Sequence, residues 1–166
     1  MISQGNYTSN LTESIYNKLK TIVGATYSHA TLGTRDVTFV AGYPPDITAY
    51  VSSLPIIILD RAHRQIPVQF EQGGNRKYTD IFHVDIIAGG FDNAPANEYM
   101  KNSLVDKVIF GFDLKRNNLT NIQTSAVEGQ YQSTCYEMTR IPSSRVSVYE
   151  THHAQIVISV WTTINN

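Results

Sequence analysis

The chain is short of charge. Lys, Arg, Asp and Glu make up 16% of its 166 residues, against about 25% in an ordinary globular domain. The balance at pH 7 is −1, so no global basic field exists to hold nucleic acid. Cysteine is nearly absent. Cys135 stands alone, which excludes an internal disulfide and fits a reducing compartment or a small buried hydrophobe. Long apolar runs are missing too. Leu54–Leu59 is far below the ~20 residues of a membrane-crossing helix. The opening Met-Ile-Ser-Gln-Gly-Asn-Tyr lacks the basic and apolar regions of a secretory signal. A soluble cytoplasmic protein is expected, without membrane contact. The sequons at Asn6, Asn10 and Asn118 then read as Asn-rich loops.

Chemical signatures are equally scarce. There is no Gly-x-Ser-x-Gly, no catalytic-thiol signature around Cys135 and no phosphate-binding glycine loop. No His-x-x-x-His, Cys-x-x-Cys or carboxylate-rich loop occurs. Gly73-Gly74 and Gly89-Gly90 read as turns. His83 and Asp85 lie two apart on one strand, so they share a face. With a further ligand they could hold a metal; the simpler alternative is a pair of polar residues on the wet side of a sheet. His152 and His153 are adjacent and point to opposite faces. His29 and His63 have no partner at useful spacing. Asp80 with Asp85, or Glu137 with Glu150, could pair as acid and base, but any chain of this length offers such pairs. No cofactor, metal or catalytic residue is assigned, and the chain is not expected to be an enzyme.

What the sequence does have is pattern. Its length and an apolar fraction of 42% fit one domain over residues 1–166 with a sizeable core. Asn and Tyr are plentiful, with ten Tyr. A surface poor in charge and rich in these residues suits contacts with other chains, or is simply neutral. The strongest signal is the stretch from Tyr78 to Phe110. Phe82, Val84, Ile86 and Ala88 alternate with Ile81, His83, Asp85 and Ile87, the mark of a strand with one dry face. Gly89-Gly90 ends it. A helix over Ala94–Ile109 follows, capped by Asp92 or Asn93, with Pro95 in its first turn and Gly111 as terminator. Tyr99, Met100, Leu104, Val105, Val108 and Ile109 form its apolar stripe.

Elsewhere, Leu11–Val23 predicts an amphipathic helix, with Asn10 as cap, Glu13 completing a capping box and Gly24 as terminator. Asp36–Ala41 reads as a short strand and Ile47–Val51 as a second short strand or edge segment. Leu54–Asp60 reads as a strand buried on both faces. Gln65–Glu71 is the next strand, joined through Gln72–Lys77 to the Tyr78 strand as a hairpin. Leu114–Ile122 is loop-like. Residues 130–138 and 145–150 are expected strands. Gln155–Ile164 closes the pattern, with Ile156, Ile158 and Val160 alternating against Val157, Ser159 and Trp161. Replacing Val157 or Ile158 with Asp is expected to abolish folding. Strands in adjacent runs predict an α+β fold: a mostly antiparallel sheet, an N-terminal helix, a second helix packed on the sheet, and long loops.

One local basic concentration stands out: Arg61, His63, Arg64, Arg76 and Lys77. Arg61 and Arg64 precede the hairpin's first strand, Gln65–Glu71. Arg76 and Lys77 lie at its tip, which puts the two pairs at opposite ends. Each pair is a candidate for subunit or phosphate contact, or an ordinary solvated hairpin end.

The layout resembles the tail-terminator and neck proteins of tailed bacteriophages. The likeness rests on the Leu11–Val23 helix, the strand Leu-Pro-Ile-Ile-Ile-Leu-Asp, the hairpin ending in His-Val-Asp-Ile-Ile-Ala, the Ala94–Ile109 helix and the final Ala-Gln-Ile-Val-Ile-Ser-Val-Trp. It implies a structural virion protein assembled in the host cytoplasm. Such subunits form a homo-oligomeric ring, usually a hexamer, that halts tail-tube growth and docks to head-completion proteins. DNA passes non-specifically through the lumen, and no cofactor is implied. Arg61, Arg64, Arg76 and Lys77 would be the subunit or DNA-lumen contacts. A head-closure or adaptor protein of the connector is the near alternative. A small cytoplasmic α+β enzyme or ligand-binding domain, with its site on the sheet's wet face, is the distant one.

Overall fold

A computed structural model describes residues 4–65, 76–113, 132–146 and 149–164. The fold is α+β. Helix α1 (Gln4–Val23) leads into a hairpin of β1 (Thr26–His29) and β2 (Gly33–Asp36), then β3 (Thr38–Ala41) and a 3-10 helix (Ile47–Ser53). Strands β4 (Ile56–Gln65) and β5 (Arg76–Ala88) follow, then helix α2 (Ala94–Asp113), β6 (Gln132–Val146) and β7 (Tyr149–Ile164). The main sheet has the order β3-β4-β5-β7-β6. Its pairs are antiparallel except β3 with β4.

The alternation along β5 is realised in full on one side. Phe82, Val84, Ile86 and Ala88 are buried without exposure, beside Ile156, Ile158 and Val160 of β7. Both helices cover this face. Leu11, Ile15, Leu19 and Val23 of α1 join Met100, Leu104, Val105, Val108 and Phe112 of α2 in one core with the strands. Asn93 Oδ1 accepts from the Ala96 amide at 2.9 Å and caps α2. At the C-terminal end of α1, the Gly24 amide donates to the Lys20 carbonyl and Gly24 takes φ 86°, as a helix-ending glycine does.

The second face carries a smaller apolar cluster. Leu54, Ile56, Ile58 and Ile87 pack with Val40 and with Ile47 and Tyr50 of the 3-10 helix. All of Ile56–Leu59 is buried, as a strand dry on both faces requires.

Several expectations change. Helix α1 starts at Gln4, so Asn10 lies inside it and cannot cap it. Residues 47–53 form a 3-10 helix, capped by Asp46, whose side chain accepts from the Thr48 amide at 2.8 Å. The strand at 36–41 is two strands, broken at Val37. Gly111 does not end α2. It lies within it because α1 crosses there: a Cβ at Gly111 would come 2.4 Å from Ile22 Cγ2. Tyr99 faces solvent, 66% exposed. Val157 is only half-buried and sits on the second face. Strand β7 does not form an edge. It is inserted between β5 and β6, and the edges of the described sheet are β3 and β6. The strand expected at Gln65–Glu71 lies outside the described residues beyond Gln65, and so do residues 72–75 and the 114–122 loop.

Candidate functional site

Strand β4 runs without interruption through the positions of Arg61 and Arg64. Arg61 pairs with Phe82 of β5 and Arg64 with Asp80, with a bulge between Arg61 and His63. Arg76 and Lys77 open β5 and pair with Ile164 and Thr163 of β7. Arg64, Arg76 and Lys77 therefore flank the same end of the β4–β5 hairpin, which corrects the expectation of opposite ends, while Arg61 lies at mid-strand opposite Phe82. Lys77 is three residues along β5 from the level of Arg64, about 10 Å at the rise of a strand. Arg61 is engaged within the subunit, since its Nη2 lies 3.1 Å from Oδ1 of the fully buried Asp80. The carboxylate points to the core face, where losing an ion-pair partner is costly.

The second face gathers a row of titratable groups. Asp60 stands opposite His83, Asp85 opposite Ile58 and Gln155, and His153 opposite Ile87. Gln155 Nε2 donates to Asp85 Oδ1 at 2.9 Å, and Thr151 Oγ1 lies 3.0 Å from His153 Nε2. Burial raises the pKa of Asp85, partly opposed by the Gln155 hydrogen bond. Burial lowers that of His153, opposed by the Asp85 charge. Tyr43 is raised by burial first and by the Asp85 and Asp60 charges second. Each shift favours the neutral form. Among the described residues no group of three or more His, Cys, Asp or Glu is placed to hold a metal ion. His83 and Asp85 share a face, as predicted.

A third cluster joins α2 to β7. Glu98 accepts from Lys101 Nζ, and its other oxygen lies 2.6 Å from His152 Nδ1. Lys101 and His152 are buried. The Glu98 carboxyl is held below its ordinary range, chiefly by the Lys101 hydrogen bond. His152 and His153 do point to opposite faces: one meets α2, the other the Asp85 row. His29 Nδ1 accepts from the Thr31 and Leu32 amides at 3.3 Å and shapes the β1–β2 turn. The side chains of His63, Glu137, Glu150 and Cys135 lie outside the described residues.

Sequence reasoning does not single out Asp60 and Gln155, and it does not link His153 to Asp85. Their association with Asp85 depends on register across strands up to 70 positions apart, which no local pattern encodes. Glu98 and Lys101 do carry a local signal, the i,i+3 spacing of a helical ion pair.

No family model and no curated protein matches the chain. It is similar to a solved structure that carries only a serial designation, over 100% of this chain and 98% of the other, at 12% identity and a TM-score of 0.39. No helix among the described residues is long and apolar enough to cross a membrane.

Proposed function

We propose that this chain is a structural subunit of a tailed-bacteriophage neck: a tail terminator that forms a ring, usually a hexamer, on the tail tube. The ring joins the tube to head-completion proteins and passes DNA through its lumen. One observation carries the reading. In a chain of net charge −1, Arg64, Arg76 and Lys77 gather at one end of the sheet. A local cationic end on a neutral subunit, repeated around a ring, supplies a sequence-independent contact for passing DNA without a global affinity for it. The separate edges β3 and β6 are suited to a head-to-tail interface, in which two different surfaces of each subunit meet. A head-closure or adaptor subunit of the same connector would use these features in the same way.

The test is assembly. Native mass spectrometry and negative-stain microscopy of concentrated protein should show closed rings. Arg76→Ser with Lys77→Ser should fold normally and weaken DNA retention by the ring, with a shallower salt dependence. A strict monomer, alone and with tail-tube protein present, would overturn the ring. A second reading, a small-molecule site on the sheet's second face, is favoured by the pKa shifts of Asp85 and His153. It predicts a monomer whose Asp85 and His153 resonances respond to a ligand.

A further inference from the structure

A cleft of about 500 Å³ opens between the β1–β2 hairpin, β3 and the end of the 3-10 helix. That volume is within the ~300–1,000 Å³ of small-molecule sites. Arg35, Thr34, Thr38, Ser52, Ser53 and Phe91 are among its walls. Three devices fix Arg35. Its guanidinium carbon stands 5.0 Å from the centroid of the Phe91 ring, a cation–π distance. Gly90 leaves room for it, since a Cβ there would come within 3.0 Å of Arg35 Cζ. Asn97 locks the Phe91 backbone from both sides, accepting from its amide at 3.1 Å and donating to its carbonyl at 2.9 Å.

Among the described residues the charge so held has no counter-ion. Among the described residues Arg35 forms no ion pair, and its Nε is buried without a hydrogen-bond partner. A guanidinium partly withdrawn from water is costly unless an anion meets it. Hydroxyls converge on the same space. Thr34 is engaged with Ser28 at 2.8 Å and Thr38 with the Ser53 carbonyl at 2.9 Å. That leaves the exposed Ser52 and Ser53 hydroxyls as donors. The exposed Asp36 also lines the cleft, and its carboxylate accepts from a hydroxyl or ammonium.

We propose that this cleft binds a small oxyanion, phosphate or carboxylate, on a compound that also carries a hydroxyl or ammonium donor. Arg35 meets the oxyanion in bidentate fashion through its terminal nitrogens, Ser52 and Ser53 donate to it, and Asp36 takes the donor. The site is independent of the ring reading, because it lies in the β1–β2 region and uses none of the basic hairpin residues.

The test is an amide-resolved NMR titration of the whole chain at constant ionic strength. Inorganic phosphate, acetate and a hexose phosphate serve as probes, with chloride as the reference salt. Saturable shifts centred on residues 34–38, 52–53 and 91 are expected, with the hexose phosphate tighter than phosphate alone. Response to phosphate but not acetate assigns a phosphate ligand, and the reverse a carboxylate. Arg35→Met keeps the stem against Phe91 and should weaken binding roughly tenfold to a hundredfold. Ser52→Ala with Ser53→Ala, at exposed positions, should weaken it less and serves if Arg35→Met does not fold. The proposal is overturned if no probe saturates beyond chloride, if neither variant changes the affinity, or if the shifts centre on Arg64 and Lys77.

Discussion

The two faces of the main sheet are made by the same strands, one residue out of step, and they solve burial differently. On the helix-covered face Phe82, Val84, Ile86, Ile156, Ile158 and Val160 are fully buried. The ionisable groups admitted there sit beside a group of opposite kind: Asp80 meets Arg61, and Lys101 and His152 meet Glu98. On the other face Asp85 and His153 are both pushed toward their neutral forms. One face pairs its ionisable groups, while burial on the other favours the neutral forms of Asp85 and His153. The first solution locks geometry. The second leaves groups whose state depends on pH.

The largest effect expected from this contrast is at adjacent positions of β7. Ile158→Asp puts a carboxylate into the fully buried face and should prevent folding, at a cost of several kcal/mol. Val157→Asp falls on the half-buried face beside His83 and should cost about 1–2 kcal/mol. Urea unfolding of both variants checks the pair, and equal effects would erase the distinction between the faces. Next comes the helical cover. Gly111→Ala should destabilise by about 1–3 kcal/mol, because the clash with Ile22 outweighs the gain in helix propensity. Ile22→Ala in the same chain should recover part of that loss. Smaller again, Glu98→Gln removes the negative charge that Lys101 and His152 face and one of the two accepting oxygens. With Glu98 itself 38% exposed, about 1–2 kcal/mol is expected by thermal unfolding.

These positions also show what is legible in a sequence. The alternation of β5, the cap at Asn93 and the doubly buried Ile56–Leu59 are readable, because each is a local consequence of side-chain period or backbone donors. Gly111 reads wrongly as a terminator because its reason is Ile22, on another helix. Residues 47–53 carry Ile47, Tyr50 and Val51 at helical spacing, yet their β-branched texture suggests a strand. Val157 looks as apolar as Ile158, and only the register with His83 shows which face it takes. The basic cluster is visible as composition, but its gathering at one hairpin end depends on β4 running on past Asp60. Arg35 gives no signal at all, since Gly90 and Phe91 reach it only in space.

The smallest effect separates the faces by pH. Asp85 has a raised pKa, so the folded chain binds a proton more tightly than the unfolded one, and stability falls as pH rises from 3.8 through the folded value. His153 has a lowered pKa, so stability is lost as pH falls below 6.5 toward its folded value. Asp85→Asn, still able to accept from Gln155, should flatten the first slope, and His153→Gln the second. Melting temperatures measured across roughly pH 3 to 8 read both. A profile unchanged by either variant would mean that burial on the second face shifts neither group.

The insertion of β7 between β5 and β6 also sets an order of events during synthesis. The long partner of β5 arrives about 70 positions later in the chain. Until then a 13-residue strand has one side of its backbone unpaired, and closing so large a loop is entropically slow. The nascent chain thus spends its most aggregation-prone interval with the inner edge of its future sheet open. A chaperone that shields β5 should raise the yield of folded protein more than one acting on the β1–β2 hairpin, whose partners are neighbours in sequence.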